Sequence, residues 1–112
     1  MTQNKLPRSI FIDVAQWYDK VNGNTYFSAV VSVDGKWLYT TGMEYGYGNH
    51  AEDVVMTELA ANGIIPAKAY GAWTMQMREI GIDYYVSYRD VLKRDLRKKD
   101  YSEFYRTVHA ND

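Results

Sequence analysis

Apolar and polar residues change their spacing along this chain of 112 residues, and each change marks a different element. Residues 9–21 carry Ile10, Phe11, Ile12, Val14, Trp17, Tyr18 and Val21. Such β-branched and aromatic enrichment predicts a strand. Asn22, Gly23 and Asn24 follow, and Asn-Gly signals a hairpin because both residues tolerate positive φ. Residues 25–33 alternate strictly. Phe27, Ala29, Val31 and Val33 fall on one face, and Tyr26, Ser28, Val30 and Ser32 fall on the other. Asp34-Gly35 is a second turn of the same kind, and residues 36–41 continue as a third strand. The three are expected to form an antiparallel meander.

The period then lengthens. Gly42, Gly46 and Gly48 punctuate a loop that carries Tyr45 and Tyr47. Asn49 is placed to cap a helix, with Glu52 three positions on completing a capping box. Ala51, Val54, Val55 and Leu59 recur at helical spacing, and Gly63 is expected to end the helix. Residues 72–80 read two ways: Trp73, Met75 and Met77 alternate like a strand, while Trp73, Met77 and Ile80 fit a short helix stopped by Gly81, and the helix is preferred. Ile82, Tyr84, Val86 and Tyr88 alternate as a fourth strand. Asp90 is expected to cap a basic segment running to Lys99. Tyr101, Phe104, Tyr105 and Val108 stand at i, i+3, i+4 and i+7, which predicts a C-terminal amphipathic helix with Asp100 and Glu103 at capping positions. The expected architecture is one α+β domain over residues 1–112. It has a three-stranded meander, a helix pair, a fourth strand and a helical tail, with the helices packed on one sheet face.

Composition removes several chemistries. With no cysteine, disulfide frameworks, thiolate metal sites and cysteine nucleophiles are excluded. No apolar run reaches signal-peptide or bilayer length, so a cytoplasmic protein with no membrane partner is expected. Formal net charge is only −1, so no global field favours nucleic acid. The distribution is polar all the same. Residues 89–99 hold six basic and two acidic residues, net +4, whereas residues 1–88 hold six basic and nine acidic, net −3.

Five groups of residues carry candidate chemistry. Gly46, Gly48 and Ala51 match G-x-G-x-x-A before a helix. A dinucleotide fold needs parallel strands and a longer chain, so a turn with a cap is the plainer reading. His50 with Glu52 and Asp53 could face a metal, but the only other histidine is His109, and capping of the first helical turn explains the carboxylates. Ser28, Ser32, Ser87 and Ser102 lack a nucleophile elbow, and no carboxylate pair can be set across a cleft. Arg89, Lys93, Arg94, Arg97, Lys98 and Lys99 could track phosphates. The plainer reading there is a solvated helix that packs Val91, Leu92 and Leu96 inward. Finally, eleven tyrosines in so short a chain cannot all be buried with satisfied hydroxyls. Exposed tyrosine beside tryptophan and arginine is the composition of interface hot spots. Tyrosine on a solvated sheet face is the bland alternative.

The run from Asn24 to Ser28, the Val33-Asp34-Gly35 turn and the Tyr45-Gly46-Tyr47-Gly48 loop resemble a group of small tailed-bacteriophage proteins. Those pair an N-T-Y-H-S strand with a Y-G-Y-G-D loop and a following helix. Trp73, residues 78–82, Asp90-Val91 and the Lys98-Lys99-Asp100 close are similar too, so the resemblance spans residues 24–100. Phe27 stands where that group commonly has histidine, Asn49 where it has aspartate, and residues 92–97 look inserted. The group has no assigned activity. The resemblance therefore implies a phage origin and a compact fold, and it brings no catalytic residues.

The expected function is that of a small non-catalytic phage accessory protein, with no cofactor and no metal. It would bind a host or phage protein stoichiometrically, through Tyr45, Tyr47, Arg94 and Arg97. Inhibition of a bacterial defence complex is one concrete form. The alternative is nucleic-acid binding through Arg89, Lys93, Arg94, Arg97, Lys98 and Lys99 with surface tyrosines as stacking platforms. Homodimerisation would also consume exposed aromatics.

Overall fold

A computed structural model describes residues 6–46, 48–68, 71–96 and 101–102. Two turns fix the centre of its sheet. The first joins β1 (Ser9–Asp19) to β2 (Asn24–Val33). There the Asp19 carboxylate accepts the backbone N–H groups of Val21 and Asn22, and Gly23 takes positive φ. The side-chain amide of Asn22 also donates to Asp19, at 2.8 Å, and holds that carboxyl below its ordinary range. The second turn joins β2 to β3 (Lys36–Thr40) through Asp34 and Gly35, both in the left-handed region at φ 54° and 80°.

Asp34 does more than turn the chain. Its Oδ1 accepts the N–H groups of Arg8 (2.7 Å) and Ser9 (3.1 Å), so the turn ties down the start of β1. Asp34→Ala loses both bonds and places a side chain without polar reach at positive φ. Its expected cost is about 1–2 kcal/mol, measured as a shift in the denaturation midpoint.

The sheet is larger than the expected array and is mixed. Its order is β5 (Asp83–Asp90), β1, β2, β3, β6 (Tyr101–Ser102), with β4 (Glu44–Tyr45) pairing β2 beyond the end of β3. β1–β2 and β2–β3 are antiparallel, the latter with a register shift between Val31 and Ser32. β5 (Asp83–Asp90) runs parallel to β1 in unbroken register from Ser9↔Asp83 to Gln16↔Asp90. The alternation within β2 is as the sequence predicts: Phe27, Ala29 and Val31 are buried in the core. Ile10, Ile12 and Val14 of β1 lie on the same face, with Val86 of β5 packed against them.

Helix α1 (His50–Ala61) closes that face with Ala51, Val55, Met56 and Leu59. Gly63 ends it as expected. The N–H groups of Gly63 and Ile64 bond back to the carbonyls of Ala60 and Leu59, and Gly63 sits at φ 76°. The start differs from expectation. Asn49 makes no side-chain cap hydrogen bond, and Glu52 reaches across to β5 instead of back to the cap. Helix α2 (Trp73–Ile80) buries Trp73 and Met77 and stops at Gly81. The Trp73 indole N–H donates to Asp53 at 3.1 Å, and Lys68 lies over its ring and beside the same carboxylate.

Two expectations fail past β5. Residues 91–96 are not the start of a basic α-helix. They hold one 3-10 turn, Lys93–Asp95, flanked by extended Leu92 and Leu96. The Asp95 carboxylate accepts the Leu92 N–H and closes the turn. The tail does not begin as a helix at Tyr101 either, because Tyr101–Ser102 form strand β6 against Tyr39 and Thr40 of β3. The rest of the expected C-terminal helix lies outside the described residues.

Candidate functional site

Two layers of aromatics divide at the sheet. The helix side is filled. The opposite face is formed by the odd-numbered positions of β1 and β5 and by their partners on β2, β3 and β4. It carries two aromatic patches.

At one end of that face Tyr85, Phe11 and Trp37 lie in neighbouring register, and all three are exposed. At the other end Trp17 pairs with Tyr26, and Tyr26 pairs with Tyr45. The Trp17 and Tyr26 rings stack at 5.8 Å and 23°. Tyr45 meets Tyr26 edge-on at 5.7 Å and is 56% exposed. Such pairs hold each ring in place, which lowers the entropy lost when a partner docks on them.

Between the patches, Ala15, Ser28 and Thr40 are buried although they face away from the helices. Past β5, Lys93 sits over the Trp17 ring at 5.5 Å, on the open face. Leu96 is only 4% exposed yet stands apart from the main core cluster, as Ala15 does.

The sequence-predicted residues sort accordingly. Tyr45, Lys93 and, next to it in the chain, Arg94 come to one end of the open face, although Lys93 stands 48 positions after Tyr45. Arg94 is exposed on the 3-10 turn. Arg89 lies on the same face, but Asp13 holds it at 3.4 Å. Tyr47, Arg97, Lys98 and Lys99 lie outside the described residues. Trp17 and Tyr26 were not singled out from sequence as site residues. The signal was present: the alternation of β2 sets Tyr26 opposite Phe27, and the first hairpin sets Trp17 beside Tyr26.

The loop before α1 is a packing device. The Gly46 N–H donates to Thr25 O at 2.9 Å. A Cβ on Gly46 would collide with the His50 ring, which itself stands edge-on to Phe27 at 6.1 Å. His50, Glu52 and Asp53 do not converge: Glu52 turns to Tyr84 and Asp53 to Trp73 and Lys68. Among the described residues no group of three metal-ligating side chains is assembled.

A separate cleft of about 460 Å³ opens where α2 meets β5, lined by Arg78, Asp83, Tyr84 and Tyr85 among others. No described helix is long and apolar enough to cross a membrane. No protein-family model, curated protein or solved structure matches the chain.

Proposed function

We propose that this chain is a small non-catalytic phage accessory protein that works in the host cytoplasm by stoichiometric binding to a host or phage protein. The contact is the Trp17–Tyr26–Tyr45 patch with Lys93 and Arg94 at its border. The supporting observation is the aromatic ladder, half-buried at Trp17 and Tyr26 and exposed at Tyr45, with Lys93 over the Trp17 ring. Hot spots of protein interfaces combine these residue types. The partner surface would present an apolar pocket for Tyr45 and carboxylates opposite Lys93 and Arg94. Inhibition of a bacterial defence complex is the concrete form this reading takes, and it rests on the phage resemblance.

Nucleic-acid binding is the second reading, and Lys93 over an aromatic ring favours it. The ladder argues against base stacking. Trp17 is flanked by Tyr26 and capped by Lys93, so little of its ring face is left for a base, and Arg89 is engaged by Asp13.

A tagged pull-down from host lysate, with and without nuclease, separates the two. A discrete protein recovered in both samples is expected. Tyr45→Ala should weaken its capture about tenfold, while Val21→Ala at the first hairpin should leave it unchanged. Equal capture by the Tyr45→Ala protein, folded by circular dichroism, would remove the patch from the contact. Recovery lost on nuclease treatment would transfer the reading to nucleic acid, with affinity falling steeply in salt.

A further inference from the structure

We infer that the free edge of β5 pairs with β5 of a second copy of this chain, antiparallel, about a two-fold axis at Val86. The backbone pattern comes first. Asp83 N–H donates to Arg8 O at 2.9 Å and Val91 N–H to Gln16 O at 2.8 Å. In a parallel ladder the strand turns its N–H and C=O toward one neighbour at every second residue. The odd residues of β5 therefore serve β1, and Tyr84, Val86 and Tyr88 direct theirs outward. Among the described residues no strand takes that side.

Sheet edges in monomers are blunted by charged side chains, proline, bulges or short length. β5 has no proline and no bulge, and its charges, Asp83, Arg89 and Asp90, stand only at its two ends. It is eight residues long and continuous in register, and its centre, residues 84–88, is uncharged and rich in tyrosine. The opposite side of the sheet, by contrast, has a register shift and strands of two to five residues.

Register follows from hydrogen bonding and charge. Only even-to-even pairing joins outward-facing groups to each other, and it keeps both helix layers on one side. Centred on Val86, it sets Tyr84 against Tyr88, Val86 against Val86 and Tyr85 against Ser87, and it forms about six backbone hydrogen bonds. The same register places Asp83 of each copy opposite Arg89 of the other, on the open face, where the guanidinium that meets Asp13 through Nε keeps its other N–H donors for a second carboxylate. Opposite charges directly across a pair of strands stabilise it. Shifting the centre to Ser87 sets Tyr84 against Asp90 and leaves Asp83 against Val91, so the two complementary charge pairs are lost. The interface is isologous and closes at two copies. It makes one continuous sheet with both open faces on the same side.

Charge reversal tests this by sedimentation from about 10 µM to about 1 mM protein. The wild-type chain is expected to dimerise in this range. Asp83→Arg alone sets Arg against Arg89 at both crossings, and Arg89→Asp alone sets Asp against Asp83. Each should raise the dimer dissociation constant about tenfold. Mixing the two variants one to one pairs every charge again and should restore wild-type affinity. A wild-type chain that stays monomeric, variants that associate unchanged, or a mixture no tighter than its components would each overturn the proposal. Amide exchange on the wild-type chain gives a reading free of substitutions. The Tyr84, Val86 and Tyr88 amides should gain protection as concentration rises, and unchanged protection there would overturn it as well.

Discussion

Phe27→Ala should lower the stability of the fold by about 3–5 kcal/mol, which is about a fifth or more of what a domain of this size usually has. Phe27 is 1% exposed and is among the largest fully buried side chains. It stands on β2 between the sheet and the start of α1, with the His50 ring edge-on to it and the Gly46 backbone close by. Its neighbours cannot close in. Glu44 and Gln16 flank it in fixed register on both sides, and Ala51 of α1, in the same core cluster, carries only a methyl group, too short to fill the space. The lost burial and the cavity therefore add. Urea denaturation would read the change as a lower midpoint at unchanged slope. A loss below about 1 kcal/mol would mean that α1 settles onto the sheet without Phe27, and that the loop packing at Gly46 and His50 does not depend on it. Phe27→Leu should recover most of the stability, because it keeps most of the apolar volume.

What could be read from sequence was what is local. The alternation of Phe27, Ala29 and Val31 against Tyr26, Ser28 and Val30 determines both faces of β2 without reference to the rest of the chain. Asp34-Gly35 and Gly63 demand positive φ within a few residues of where they act. The parallel pairing of β5 with β1 was not legible. Nothing in residues 82–90 states which strand they will join or in which direction. That direction decides the site. Because β5 runs parallel to β1, its end lies beside Gln16 and delivers Lys93 over Trp17. An antiparallel β5 would have released the basic segment near Ser9, at the far patch. The sequence therefore points to Tyr45 and to Arg94 separately, and only the topology brings them to one end of the sheet. The failed capping box has the same origin. Glu52 satisfies the local rule, but two tyrosine hydroxyls brought from β5 compete for its carboxylate and win it. Residues 91–96 mislead for a local reason. Val91, Leu92 and Leu96 have helical spacing, yet the Asp95 carboxylate accepts the Leu92 N–H and closes a single 3-10 turn between extended Leu92 and Leu96.

The Glu52 clamp gives the second large expected effect, and its signature is alkaline. Tyr84 donates its hydroxyl to Glu52 Oε2 at 2.6 Å, and Tyr88 donates to Oε1 at 3.4 Å, so one carboxylate on α1 ties two positions of β5 to the helix layer. Glu52→Leu should cost about 1.5–3 kcal/mol, the range for hydrogen bonds to a charged group, because it leaves the half-buried Tyr84 hydroxyl without its acceptor. Glu52→Gln keeps an acceptor and should cost less. Burial first, and then the Glu52 carboxylate, push the Tyr84 phenol far above its ordinary range, and the same causes raise Tyr88. A raised phenol means that the folded chain keeps a proton which the unfolded chain releases near pH 10. The stability from this pair is therefore whole below about pH 10 and is lost as pH rises from there toward the folded value. The slope is at most about 1.4 kcal/mol per pH unit for each tyrosine, and less in practice because solvent screens both hydroxyls. Tyr84→Phe removes one of the two titrating hydroxyls. It should cost about 1–2 kcal/mol at neutral pH and flatten the fall in stability between about pH 10 and about pH 11. Denaturant midpoints measured at half-unit intervals of pH would show it. Parallel alkaline profiles for the wild-type and Tyr84→Phe chains would mean that this hydroxyl titrates alike in the folded and unfolded chain, and that α1 is held over β5 by its apolar contacts alone.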